Sequence, residues 1–381
     1  MALAWKRPSW EAWLNLLGYA IGSFRRRIGR NLALILGIAS AVGWWGSVVL
    51  VSEGLRVLQD KALKEGPDLW VIQLQGGRPA LIDLSWVNRF KGLLGVRRVR
   101  ARVWGHLVVP ALEANLVVWG EEEMSPEEAD VGPGLARHLG LRPGDRLALD
   151  SAFSRAVFKV RHILSPQTSL WAHDAVIVSL EQARRLLGIP EGMASDLAIE
   201  VFPPEEIPAL AREIASQVPG GRVISREDMA HLYALTLSGR VGVLGALFGP
   251  VMIALFLLAW ERLTGLSLEE RAEIGVLKAI GWSTAIVLQV RLLESALIAI
   301  GGTALGWLMA YVHLVVWRGA GVAPFLLGWS RLRPELWASV PIDVAPIFGW
   351  SAVWILVFVG LSLWPAWRVS MMDPNEIRKI V

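Results

Sequence analysis

Cysteine is missing from the 381-residue chain, which excludes disulfides, thiolate nucleophiles and cysteine-ligated metals and leaves the redox compartment open. Charge is scarce as well. Only 19% of residues are Asp, Glu, Lys or Arg against 54% hydrophobic, whereas a soluble domain carries about 25% charge. The phosphate-binding pattern GxxxxGK[ST] does not occur, so the chain is not expected to hydrolyse ATP alone. HExxH and GxSxG are missing too, and His106, His138, His162, His173, His231 and His313 form no ligand pair; His162 and His173 with Asp174 carry no metal or acid-base spacing. No catalytic, cofactor-binding or metal-ligating residue is therefore nominated, and the chain reads as a non-enzyme. The formal net charge of +4 is too small to point to nucleic acid.

The apolar excess sits in four blocks. Residues 31–52 contain no charge and follow Arg25, Arg26, Arg27 and Arg30; at 1.5 Å per residue they cross about 30 Å of hydrocarbon. The block is too long and too far from Met1 for a cleaved signal peptide. Residues 241–260 form a second block, with Pro250 as a possible hinge or a proline tolerated by packing. Residues 283–317 form a third and 344–367 a fourth. In the third, Arg291 and Glu294 lie three apart on one helical face and are expected to pair, while Gly301, Gly302 and Gly306 offer a small-residue surface for a neighbouring helix.

Four spans place both termini on one side. Positive charge in the N-terminal approach, in Arg262, Arg271 and Lys278, and in the tail residues Arg368, Arg378 and Lys379 makes that side cytoplasmic. Residues 1–30 are then a cytoplasmic amphipathic and basic segment, with Trp10, Trp13 and Leu17 facing the membrane surface, and 368–381 a cytoplasmic tail. Residues 318–343 become a short outer loop. Trp44, Trp45, Trp260, Trp317 and Trp367 are expected at interfaces or packed within the bundle.

Residues 53–240 alternate between strand-like and helix-like passages and form a mixed α/β extracytoplasmic domain between helices one and two. Strands are expected from Asp68, His106, Ala114, Val157, Asp174 and Asp196, with a Gly76–Gly77 turn ending the first. Helices are expected from Glu181 and from Pro204 to Val218. Residues 226–240 look helical and run into the second span as one continuous helix, the alternative being a short break near Ser238 and Gly239. The fold class is thus an α-helical membrane protein of four transmembrane helices carrying an inserted α/β domain.

Between spans two and three, residues 261–282 mix apolar positions with charge on a short helix ending at Gly281. Such a helix lies in the interface or docks in a groove of a partner.

The stretch RAEIGVLKAIGWSTAIVLQVRLLESALIAIGGTALG, Arg271 to Gly306, resembles the coupling segment and third transmembrane helix of ABC-superfamily permeases of the FtsX-like, MacB-like kind, type VII. SFRRRIGRNLALILGIASAVG resembles their first span, GPGLARHLGLRPGDRLAL with FKVRHIL and AVIVSLEQARRLLG their periplasmic core domain, and LWPAWRVSMMDPNEIRK their closing span and tail. These passages together extend over nearly the whole chain.

The resemblance implies a separate cytoplasmic ABC ATPase, in two copies, that binds ATP and magnesium, and a second permease chain in a homo- or heterodimer. It also allows an extracytoplasmic adaptor or target protein, and places the assembly in the bacterial cytoplasmic (inner) membrane. Glu273, Ile274, Leu277 and Lys278 are the residues it nominates for coupling to the ATPase. The function it implies is mechanotransmission: ATP hydrolysis drives export or extraction of a hydrophobic or amphipathic substrate such as a lipid, lipoprotein, peptide or drug-like compound. The alternative is a signalling module controlling an envelope enzyme or relaying a peptide signal.

Overall fold

An amphipathic stretch with alternating Trp and Leu opens the described chain as α1, Trp10–Arg26. One non-helical residue, Arg27, separates it from α2, Ile28–Glu65, which outruns the uncharged block because its C-terminal third is a polar helix of good formers. The computed structural model describes residues 10–109, 114–165, 172–218, 220–264, 268–328, 332 and 344–371. The tail with Arg378 and Lys379, most of the segment 329–343, and the side chains of Trp260, Arg262 and Arg271 lie outside the described residues.

The chain then enters a mixed domain. Its elements are β1 Leu69–Gln75, β2 Arg78–Ala80, β3 Ile82–Asp83, α3 Ser85–Lys91, β4 Val96–Arg102, β5 Trp104–Val109, β6 Ala114–Glu121, β7 Glu128–Val131 and α4 Pro133–Leu139. β8 Arg146–Asp150, β9 Arg155–Ile163, β10 Ala175–Ser179, α5 Leu180–Leu187, β11 Met193–Ala194, β12 Asp196–Val201, α6 Ile207–Gln217 and β13 Gly221–Ser225 complete it. The first sheet runs β13-β1-β12-β4, all antiparallel, with β2 returning along β1. Gly76 and Gly77 make that return: both have positive φ, 59° and 79°, in the two-residue turn joining Gln75 to its partner Arg78. The second sheet, inserted between β4 and β12, runs β5-β6-β10-β7-β9-β8 and mixes parallel and antiparallel pairs.

Each sheet buries one face. Leu69, Val71, Phe90, Leu197, Ile199 and Ile214 are closed off from solvent under the first, with α3 and α6 covering them. Leu116, Val118, Leu135, Leu149, Phe158, Val176 and Leu186 do the same for the second. In β8 the side chains alternate, Leu147 and Leu149 in and Arg146, Ala148 and Asp150 out, with the period of two of an extended strand. An ion pair braces the junction of the two sheets. Arg102 donates from Nε and Nη2 to both oxygens of buried Asp196, which also accepts from the indole N–H of Trp104 at 2.8 Å.

Three further long apolar helices follow: α7 Arg226–Thr264, α9 Thr284–Val315 and α11 Val344–Ser370, with the shorter α8 Leu268–Ala279 and α10 Val322–Leu327 between them. With α2 they make, among the described residues, four helices long and apolar enough to cross a membrane. The protein is therefore a helical membrane protein with a mixed α/β domain inserted between the first two spans. α7 has no break at Ser238 or Gly239 and continues through Pro250.

Contacts divide the chain into two units, the helical unit of α1, the first part of α2, α7 from Gly242, α8, α9 and α11, and the α/β unit with α10. Within the helical unit Trp44 packs on Phe248 at 4.5 Å between ring centres and Trp45 on Trp350 at 5.4 Å. Both are packing residues. Trp317 and Trp367 are exposed.

Candidate functional site

Helix α8 carries the four residues nominated for coupling. Its sequence sets Glu273, Ile274 and Leu277 on one face and Val276, Ala279 and Ile280 on the other, because positions three and four apart share a side of a helix. Gly281, at φ 101°, ends the element, a conformation that only glycine adopts without strain. The chain then turns back on itself, Trp282 N–H donating to the Leu277 carbonyl at 3.0 Å, and Ser283 caps α9.

The two faces have different fates. Ile274 is 1% exposed and packs with Val287 of α9 and with Trp282. Leu277 lines a narrow crevice together with Tyr19, Ser23, Glu273, Val290, Arg291 and Glu294. Lys278 is half-buried, and Val276 and Ile280 stand exposed. Of the four nominated residues, three therefore face the protein's own interior. The apolar side chains that α8 offers outward, Val276 and Ile280, were not singled out as a contact pair in the sequence.

Glu273 is the hub of the crevice. Tyr19 Oη donates to its Oε1 at 2.7 Å, Arg26 Nη2 donates to the same oxygen at 2.8 Å, and Arg27 Nη2 donates to Oε2. Partial burial alone would raise the carboxyl's pKa, but the Tyr19 hydrogen bond and the charges of Arg27 and Arg26 outweigh it and hold the group below the usual carboxylate range. Tyr19 moves the other way, pushed up to about 12 by burial and then by its bond to the Glu273 carboxylate. Both shifts favour one state, a neutral phenol donating to an ionised carboxylate. Tyr19 also sets its ring 5.1 Å from that of Trp282, and the Arg26 guanidinium lies 5.6 Å from the Tyr19 ring centre.

Arg291 and Glu294 form the second pair in the crevice, Nη1 to Oε2 at 2.9 Å, with both side chains largely buried. The glycines of α9 do unequal work. A Cβ on Gly302 would lie 2.7 Å from the Cβ of Ile38, and one on Gly306 would lie 2.6 Å from the Cβ of Val42, so α2 approaches α9 at those two positions as closely as the missing side chains allow. Gly301 has ordinary clearance, 3.6 Å to the Ile35 side chain. Gly46 of α2 reciprocates against Ala310 and Trp307.

Among the described residues no three His, Asp or Glu side chains group as metal ligands. The residues that sequence reasoning missed are Tyr19, Arg26 and Arg27. The two arginines were read only as an orientation signal, and nothing in a linear pattern links them to a carboxylate about 250 positions away.

No protein-family model matches the chain, and no curated protein matches it. Among solved structures, the extracellular domain of the noncanonic ABC-type transporter YknZ from Gram-positive bacteria is similar at 12% identity with a TM-score of 0.30, over 41% of this chain and 99% of that one. So slight a likeness carries no function across to this chain.

Proposed function

We propose that the chain is a permease subunit of an ABC-type complex of the FtsX-like, MacB-like kind, moved by a separate ATPase and acting by mechanotransmission on a hydrophobic or amphipathic substrate. The observation that carries this is α8: a short helix between the second and third apolar helices, tied to α1 and α9 on one face and exposing Val276 and Ile280 on the other. A helix so anchored is a lever with a free apolar handle, the form a groove-docking partner contact takes. The order of parts, one span, an inserted α/β domain and three spans, supports the same assignment. ATP and magnesium belong to the partner ATPase, in two copies, with a second permease chain beside this one in a bacterial cytoplasmic membrane. Both termini and α8 lie on the cytoplasmic side.

Purification from native membranes in mild detergent, with identification of the chains that accompany this one, is the test. A stoichiometric ATPase is expected, and Ile280→Asp together with Val276→Asp is expected to lower its retention by about tenfold, since a buried charge replaces apolar contact. Absence of any ATPase from the unmodified preparation contradicts the proposal. An envelope enzyme that accompanies the ATPase, and whose activity changes without net transport, moves the assignment from export to signalling.

A further inference from the structure

The grip on Glu273 comes from one place in the chain. All three donors belong to the stretch from Tyr19 to Arg27, and together they engage both carboxylate oxygens. Arg27 is the single non-helical residue between α1 and α2, the first apolar helix. That joint is braced locally: Arg27 N–H donates to the Phe24 carbonyl at 3.3 Å, and Asn31 Nδ2 donates to the same carbonyl at 3.1 Å.

Contact between α8 and α9 is of another kind. It rests on Ile274 against Val287 and Trp282, and an apolar contact of that sort has no fixed direction. A carboxylate held by three donors on both its oxygens fixes distance and angle together.

We propose that Glu273 is a positioning residue that fastens α8 to the α1–α2 joint, so that a displacement of α8 reaches the first apolar helix directly through Arg27, with α1 acting as a strap. The inference rests on the assignment of α8 as the element a partner moves. Two routes then leave α8, an apolar one into α9 and an ionic one into α2. The outer side of α1 fits the role. Trp10, Trp13, Leu14 and Ile21 are exposed there, as expected of a helix lying at a lipid surface and moving along it.

The test uses the full chain in lipid nanodiscs and reads amide hydrogen exchange. Glu273→Gln and Arg27→Gln are each expected to speed exchange over residues 10–31 by about tenfold, with the strands of the α/β domain unchanged. The double variant is expected to be no faster than Glu273→Gln alone, because the carboxylate that Arg27 holds is already gone. Unchanged exchange over 10–31, or additive effects in the double variant, overturns the proposal. Tyr19→Phe removes one donor without altering charge and covers the case where a charge variant does not fold. A smaller acceleration in the same segment is expected from it, and none at all counts against the strap.

Coupling is read in the ATPase-bound complex. Glu273→Gln is expected to lower the maximal rate of ATP hydrolysis by about threefold with KM for ATP unchanged, since the nucleotide site belongs to another chain; an unchanged maximal rate overturns the coupling role. If exchange responds as expected while no ATPase accompanies the unmodified chain, the strap stands and the permease assignment fails. If the ATPase is present and exchange does not respond, only the strap fails.

Discussion

His173 is buried to 3% exposure in the α/β unit, and its Nδ1 has no hydrogen-bond partner among the described residues. Burial, and then the nearby charge of Arg137, pushes its pKa down to about 4. A histidine whose folded value lies below its ordinary value of about 6.5 binds more protons when unfolded, so stability is lost as pH falls from about 6.5 towards 4. Asp174 next to it is raised by burial and has the opposite sign just above its ordinary range, which is why a comparison variant is needed. The full chain in detergent is expected to lose about 1–3 kcal/mol of α/β-unit stability across that window, measured by exchange at the β10 amides, with His173→Leu flattening the dependence. An equal slope in the variant would assign the loss to other groups. In the sequence His173 stood with His162 and Asp174 as a group without metal or acid-base spacing. Its burial depends on the backbone of Gly132 and Gly134, whose Cβ positions would strike the His173 carbonyl at 2.6 and 2.7 Å.

At the scale of elements, what repeats along the chain was legible and what closes across it was not. Long apolar runs marked α2, α7, α9 and α11, and runs rich in branched or aromatic side chains beside turn residues marked β1 and β10. α8 was legible as a short helix ending at Gly281, yet which of its faces turned inward was not. That depends on α1 and α9, and a face with Glu273 on it reads as a surface until Tyr19, Arg26 and Arg27 arrive. The small residues of α9 were read as a packing surface, and the structure separates them. Gly302 and Gly306 meet the Cβ atoms of Ile38 and Val42, which cannot swing aside, whereas Gly301 meets the mobile end of Ile35. Gly306→Ala is therefore expected to destabilise the α2–α9 pair by about 1–3 kcal/mol, while Gly301→Ala stays within about 0.5 kcal/mol. Thermal melts of the detergent-solubilised chain check it; equal effects at the two positions would mean that the close approach of α2 and α9 does not hold in the membrane.

On the scale of the whole molecule, composition is the main constraint. A chain with 54% hydrophobic residues has the means to sit in a bilayer, and in the proposed reading the energy for its work enters from a partner ATPase. In that reading function lies in the continuity of helices. α7 runs unbroken from Arg226 at the end of the α/β domain to Thr264, and Arg27 joins α1 to α2 while holding Glu273. The proposed coupling requires the α/β domain and α8 to face opposite sides of the membrane. The lack of native cysteine allows this to be measured without removing any residue first. Single cysteines at Glu122 and Glu191 in the α/β domain and at Ala279 on α8, all exposed positions, are labelled in intact cells with a maleimide that does not cross the cytoplasmic membrane. Labelling at Glu122→Cys and Glu191→Cys with none at Ala279→Cys until the cells are opened is the predicted result; equal labelling at all three positions in intact cells, or labelling at Ala279→Cys alone, would contradict it.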